Sequence, residues 1–164
     1  MQTAEFRDAA PHDFDAICSL NLAAVQHTSP MDMEQLTALD SLSCFHKVGC
    51  ADGCVLAFLL AMPNGAAYEN SNFQWFSLKY PRFIYVDRII VAPIARGLSL
   101  ATLLYEELFR YARNNGIPLV TCEYNIVPRN EPSRLLHEKL GFTERGTQWV
   151  ANGTKHVSLQ AAEP

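Results

Sequence analysis

Residues 86–109, VDRIIVAPIARGLSLATLLYEELF, decide how this chain is read. An apolar run, Val86–Val91, predicts a strand. Pro93 interrupts it, Arg96-Gly97 turns the chain, and an amphipathic helix follows, with Leu100, Leu103, Leu104, Leu108 and Tyr111 recurring at helical spacing. Glu106, Glu107, Arg110 and Arg113 fall on the remaining surface of that helix. The first turn of a helix has N–H groups without intrahelical partners, and the helix dipole favours negative charge there. Strand, turn and helix start together point to a ligand that carries phosphate.

The rest of the chain supplies a framework for this unit. Residues 3–7 predict a first strand, and Pro11 opens a helix with Phe14, Ile17, Cys18, Asn21, Leu22 and Val25 near one face. A second helix starts at Ser29-Pro30, with Met33, Leu36 and Leu39 inward. Phe45–Cys50 and Cys54–Met62 form a hairpin across Asp52-Gly53. Residues 63–81 read as a long irregular segment rich in aromatics and amides, either a lid over apolar surface with room for one helical turn or a substrate wall built from Tyr68, Trp75 and Phe76. Arg82–Val91 and Leu119–Asn125 are strands. Asn114-Asn115-Gly116 ends the helix between them, and a short helix runs from Glu131 to Leu140. A last hairpin, Phe142–Val150 with Lys155–Leu159, turns at Asn152-Gly153. The expected order is one α/β domain over residues 1–164, with a mixed sheet and helices on both faces.

Composition narrows the function. With 164 residues, near-half apolar content and a net charge of −4, the chain reads as an ordinary globular domain without a nucleic-acid surface. The longest apolar run, Val55–Met62, is too short for a membrane span, and the acidic N-terminus shows no secretory signal. Five cysteines, an odd number, are read as reduced thiols in a cytoplasmic protein. Cys44, Cys50 and Cys54 with His46 match no zinc spacing, so no metal is expected. His12, His27, His46 and His156 are placed at the surface. No G-x-G-x-x-G is present, which sets aside a dinucleotide-binding fold.

Two segments resemble the GNAT (Gcn5-related) N-acetyltransferases. Val91-Ala92-Pro93-Ile94-Ala95-Arg96-Gly97-Leu98-Ser99-Leu100-Ala101 is similar to that family's acetyl-CoA loop, V-x-P-x-x-R/Q-x-x-G-x-G/A. Ser99 stands at the central glycine, a place it can fill with a negative φ. Asn130-Glu131-Pro132-Ser133-Arg134-Leu135-Leu136-His137-Glu138-Lys139-Leu140-Gly141-Phe142 resembles the ending N-x-x-A/S-x-x-L/F-Y-x-x-L-G-F, with His137 at the usual Tyr.

The resemblance implies a mostly antiparallel sheet with two splayed parallel central strands. It also implies acetyl-CoA as co-substrate, held along Ile89, Ile90 and Val91 and on the turn Arg96, Gly97, Leu98, Ser99, Leu100 and Ala101. Ser133 is implied as a further cofactor contact, and Asn130 either hydrogen-bonds the pantetheine arm or caps its helix. The implied reaction is acetyl transfer to a primary amine, on a small molecule or a peptide amino terminus, with no metal. A non-catalytic acyl-CoA-binding domain is the alternative. In ribosomal-protein N-terminal acetyltransferases of this family, a Glu on the matching strand is the base. Glu123 takes that part here, although Ile126–Arg129 is two residues longer. Asp87 is the second candidate, or else an ion-pair partner of Arg82 or Arg88. His137 is either a proton donor to the departing thiolate or a helix-surface residue. A homodimer is compatible with the family.

Overall fold

The computed structural model describes residues 3–164. Apolar strands and turn residues resolve into seven strands and five α-helices among those residues. In order they are β1 (Glu5–Asp8), α1 (Phe14–Ala23), α2 (Met33–Leu42), β2 (Phe45–Ala51), β3 (Cys54–Pro63), α3 (Ser71–Lys79), β4 (Ile84–Val91), α4 (Leu100–Asn114), β5 (Val120–Val127), α5 (Glu131–Lys139), β6 (Thr143–Val150) and β7 (Lys155–Ala162). The strands form one mostly antiparallel sheet in the order β1-β2-β3-β4-β5-β7-β6. Its one parallel pair is β4 with β5, in register at Ile84↔Val120 and Tyr85↔Thr121.

The chain divides into two compact units, Met1–Met62 with Asp87–Leu108, and Pro63–Val86 with Phe109–Pro164. In the first, Asp52 and Gly53 make a two-residue turn with φ values of 51° and 74°. Both central residues of a type I′ hairpin turn need a positive φ, and Asp-Gly supplies it at low cost. The core of this unit includes Ile17, Leu36, Val48, Phe58, Leu59, Leu60, Leu104, Tyr105 and Leu108. Asp32 caps α2, its side chain accepting from the Gln35 N–H at 2.8 Å while Gln35 reaches back to the Asp32 N–H at 2.9 Å.

Several inward assignments fail in this unit. Leu22 is 73% exposed and Met33 41% exposed, and Leu103 also faces solvent. Met33 heads α2 directly after the Asp32 cap, so the helix begins three residues after Pro30 and its inward stripe starts at Leu36. His46, expected at the surface, is buried, with Nδ1 2.7 Å from Asp40 Oδ1.

In the second unit the main surprise is α3. Residues 63–81 were expected to be irregular, but nine of them form a helix. Asn70 caps it, its side-chain oxygen accepting from the N–H groups of Asn72 and Phe73, both at 3.0 Å. Phe73 and Phe76, three residues apart, face the core together. They pack with Phe83 and Tyr85, ring centroids lying 5.6 to 6.2 Å apart. Gly146 permits the close approach of Trp75, since a Cβ there would lie 2.6 Å from the Trp75 ring.

Candidate active site

The turn expected to hold phosphate has the needed local shape. After β4, the Ala92 N–H donates to Leu56 O at 2.7 Å and Pro93–Ala95 forms a single 3-10 turn. Gly97 then takes a φ of 86° and Ser99 a φ of 60°. The carbonyl of Ser99 accepts from the Leu103 N–H at 3.0 Å, which makes Ser99 the residue that leads into α4. The N–H groups of Gly97 and Ser99 enter no backbone hydrogen bond among the described residues, and those at the start of α4 lack intrahelical partners by position. Arg96, Gly97, Leu98 and Ser99 are exposed, whereas Leu100 is buried and anchors the helix start. This is an open, positively polarised turn with free donors, and it fits a pyrophosphate. Ser99 does not fit through a negative φ, as expected from sequence. It adopts the left-handed conformation that the glycine of the pattern reaches without strain.

Two of the expected cofactor residues, Asn130 and Ser133, sit at the start of α5. The Asn130 side chain caps α5 by accepting from the Ser133 N–H at 3.3 Å, so the capping role is realised. Ile89, Ile90 and Val91 continue β4 beyond the parallel pairing with β5 that ends at Tyr85↔Thr121.

Asp87 is held in the first unit. Its carboxylate accepts from Arg88 Nε at 2.7 Å, and the two side chains are 2% and 7% exposed. Arg88 also donates to Asn21 Oδ1 at 2.8 Å and to the Ser29 carbonyl and hydroxyl oxygens, each at 3.2 Å. Asn21 Nδ2 donates to the same Ser29 carbonyl at 2.9 Å. The guanidinium thus ties β4 to α1 and to the segment before α2.

Glu123 lies in the second unit, on β5. The phenol of Tyr85 reaches both its carboxylate oxygens, at 2.9 and 2.8 Å. The same hydroxyl is 3.5 Å from Asn70 Oδ1, the cap of α3, so the carboxylate is one hydroxyl away from the positive end of that helix. The register Glu123↔Leu159, Tyr124↔Ser158, Asn125↔Val157 is unbroken, and the bulge falls after Asn125. The irregularity therefore lies beyond Glu123, and the face that Glu123 presents is set by the unbroken ladder. The Asn130 N–H closes that excursion on Asn125 O at 3.2 Å.

His137 is not a helix-surface residue: it is 2% exposed. Its ring lies against Tyr124 and edge-on to Phe142. Burial lowers its pKa to about 4, only partly opposed by the hydrogen bond to Ser133. Nδ1 is 2.6 Å from the Ser133 carbonyl, which can only accept, so Nδ1 carries the proton of the neutral ring. A neutral imidazole in that tautomer has no proton on Nε2 to give a thiolate.

Of the aromatic trio, Phe76 is fully buried, while Tyr68 and Trp75 keep partial exposure. Tyr68 packs against Phe73 and Tyr85, on the side of the unit that carries Glu123. Trp75 stands over Gly146 with Lys79 Nζ 4.6 Å from its ring centroid. The sequence reading missed Tyr85 and Asn70. A phenol inside the apolar run Phe83-Ile84-Tyr85 needs a hydrogen-bond partner when buried, and that was the available signal. Asn70 was hidden because α3 was not recognised.

Among the described residues no helix is long and apolar enough to cross a membrane, and no group of three or more metal-ligating side chains occurs. Comparison with known proteins matches residues 12–142 to the model of the acetyltransferase (GNAT) family. A search of curated protein sequences gave no match. Solved structures are similar over nearly the whole chain. Ard1 from Thermoplasma volcanium has a TM-score of 0.80 at 12% identity, covering 99% of this chain and 98% of its own. The ribosomal-protein-S18-alanine N-acetyltransferase from Escherichia coli has a TM-score of 0.74 at 14% identity, covering 98% and 94%. The protein yncA from Salmonella typhimurium, solved with its cofactor acetyl-CoA, has a TM-score of 0.72 at 21% identity, covering 99% and 94%.

Proposed function

The chain belongs to the acetyltransferase (GNAT) family, and from that premise we propose that it transfers an acetyl group from acetyl-CoA to a primary amine, carried by a small molecule or an amino terminus. The observation that carries this reading is the Glu123 carboxylate on β5, with both of its oxygens within hydrogen-bond distance of the Tyr85 hydroxyl. Acetyl-CoA supplies an acyl group on a good leaving thiol.

The chain's own residues divide the remaining work. The turn Arg96–Ala101, exposed from Arg96 to Ser99, holds the pyrophosphate through backbone N–H groups and the start of α4, with the Arg96 cation adding to the attraction. Glu123 removes a proton from the ammonium of the acceptor, directly or through one water, and frees the nitrogen lone pair to attack the thioester carbon. As the carbon–sulfur bond breaks, its electron pair goes to sulfur. His137, neutral and with its proton committed to Ser133, packs α5 and leaves protonation of the thiolate to solvent or to the proton released by the amine.

The test is a panel of amines incubated with acetyl-CoA, with CoA thiol release and the acetylated amine both measured. Glu123→Gln should lower kcat/KM by ~10²–10⁴, most strongly at low pH where the amine is mostly protonated. Tight acetyl-CoA binding without thiol release for any amine would instead indicate a non-catalytic acyl-CoA-binding domain.

A further inference from the structure

We propose that Tyr85 is a positioning residue for the candidate base: its hydroxyl donates to both oxygens of Glu123 and fixes the carboxylate's orientation. The inference rests on the reading of Glu123 as the proton acceptor and adds a residue that neither the sequence reading nor the family pattern singled out.

The geometry is specific. Tyr85 is fully buried, and its ring is fixed by Tyr68, Phe73 and Phe76, so the hydroxyl has little freedom of its own. β4 and β5 are parallel neighbours at Tyr85↔Thr121, and Glu123 lies two residues further along β5 on the same face as Thr121. A phenol is long enough to cross that offset, and the hydroxyl oxygen stands nearly equidistant from the two carboxylate oxygens, at 2.9 and 2.8 Å, so its one proton serves either. Asn70 Oδ1, at 3.5 Å, is the weaker acceptor and lies behind the hydroxyl at the head of α3. A shorter side chain on β4 would not reach Glu123. Phenylalanine would keep the ring packing and remove only the donor.

A hydrogen bond donated to a carboxylate stabilises its charged form, so Tyr85 also holds Glu123 as a base at lower pH than it would otherwise serve. A tyrosine that contributed only its ring packing would make no such difference to titration.

The experiment is a carboxyl-carbon NMR titration of Glu123 in the parent protein and in Tyr85→Phe, with acetyl-CoA affinity and melting temperature measured alongside. The expected result is an upward shift of the Glu123 midpoint by about one pH unit, with acetyl-CoA affinity unchanged. An unchanged midpoint would overturn the proposal. If Tyr85→Phe fails to fold, Glu123→Gln serves in its place: the Tyr85 hydroxyl proton should be observable and downfield in the parent and move upfield in the variant. Absence of that movement would equally overturn it. Once an acceptor is in hand, the acid limb of the kcat/KM profile should shift with the NMR midpoint. A fully active Glu123→Gln would sink the base reading itself, whereas a crippled Glu123→Gln beside an unshifted Tyr85→Phe would sink only the role of Tyr85.

Discussion

Two residues depart from the family pattern, and each has a measurable consequence. Ser99 occupies the left-handed region at φ 60°, where an L-residue is strained by about 1 kcal/mol. Ser99→Gly should therefore be neutral or raise the melting temperature slightly, and acetyl-CoA should bind at least as well. Ser99→Val, branched at Cβ, should destabilise by about 1–2 kcal/mol, and equal stability of the two variants would contradict the turn geometry. His137 bears on pH. Its folded pKa of about 4 lies below the ordinary 6.5, so the unfolded chain takes up a proton that the folded chain refuses. Stability should fall as pH drops from 6.5 towards 4, by on the order of 3 kcal/mol, with no further loss from this residue below that. Asp13 extends the acid sensitivity. The hydrogen bond from Arg7 lowers its pKa from 3.8 to about 2, so its contribution is lost as pH falls through that range. Melting curves of His137→Phe should be flatter than those of the parent between pH 6.5 and 4. An identical slope would place the acid sensitivity elsewhere.

At the scale of elements, the Arg88 cluster and α3 carry the clearest expectations. Arg88→Met removes the guanidinium from the buried Asp87 carboxylate and from Asn21 and Ser29. Breaking a buried pair from one side costs about 3–5 kcal/mol, and Asp87→Asn added to Arg88→Met should recover part of that. Denaturant unfolding of the single and double variants measures both. In the other unit, Gly146→Ala should destabilise through contact with Trp75, and Trp75→Ala should relieve it, a non-additive pair. The strands and helices with strong periodicity or turn signals were legible: Asp52-Gly53, Gly116 and Gly141 stop or turn the chain where sequence places them, with positive φ at each. α3 was not legible. Its inward stripe has only Phe73 and Phe76 as apolar members, beside the buried Asn72, and the surrounding amides and aromatics mimic a loop, although Asn70 is a helix-start signal. Burial of His137 and His46 was also out of reach, because it depends on Tyr124, Phe142 and Asp40 meeting them in space. The candidate site was readable where backbone shape makes it, at Arg96–Ala101, and where a single charge marks β5, at Glu123. The phenol that holds that charge comes from another strand, and single-strand patterns do not reveal which residues face each other.

For the molecule as a whole, acetyl-CoA should act as a ligand of the folded chain alone, since the turn Arg96–Ala101 has its shape only when β4 and α4 are formed. At a hundredfold excess over Kd the ligand should add about 2.7 kcal/mol to stability without any metal. Arg96→Glu should remove most of that gain by placing a negative charge at the phosphate, and an unchanged thermal shift would move the cofactor site. The most direct test of the central claim is turnover: CoA thiol release from acetyl-CoA across an amine panel, with the acetylated amine identified by mass spectrometry, in the parent protein and in Glu123→Gln. The account expects thiol and acetylated amine to appear together in equal amounts for at least one amine, and to fall by ~10²–10⁴ in rate in Glu123→Gln. Saturable acetyl-CoA binding with no thiol released for any amine would contradict it.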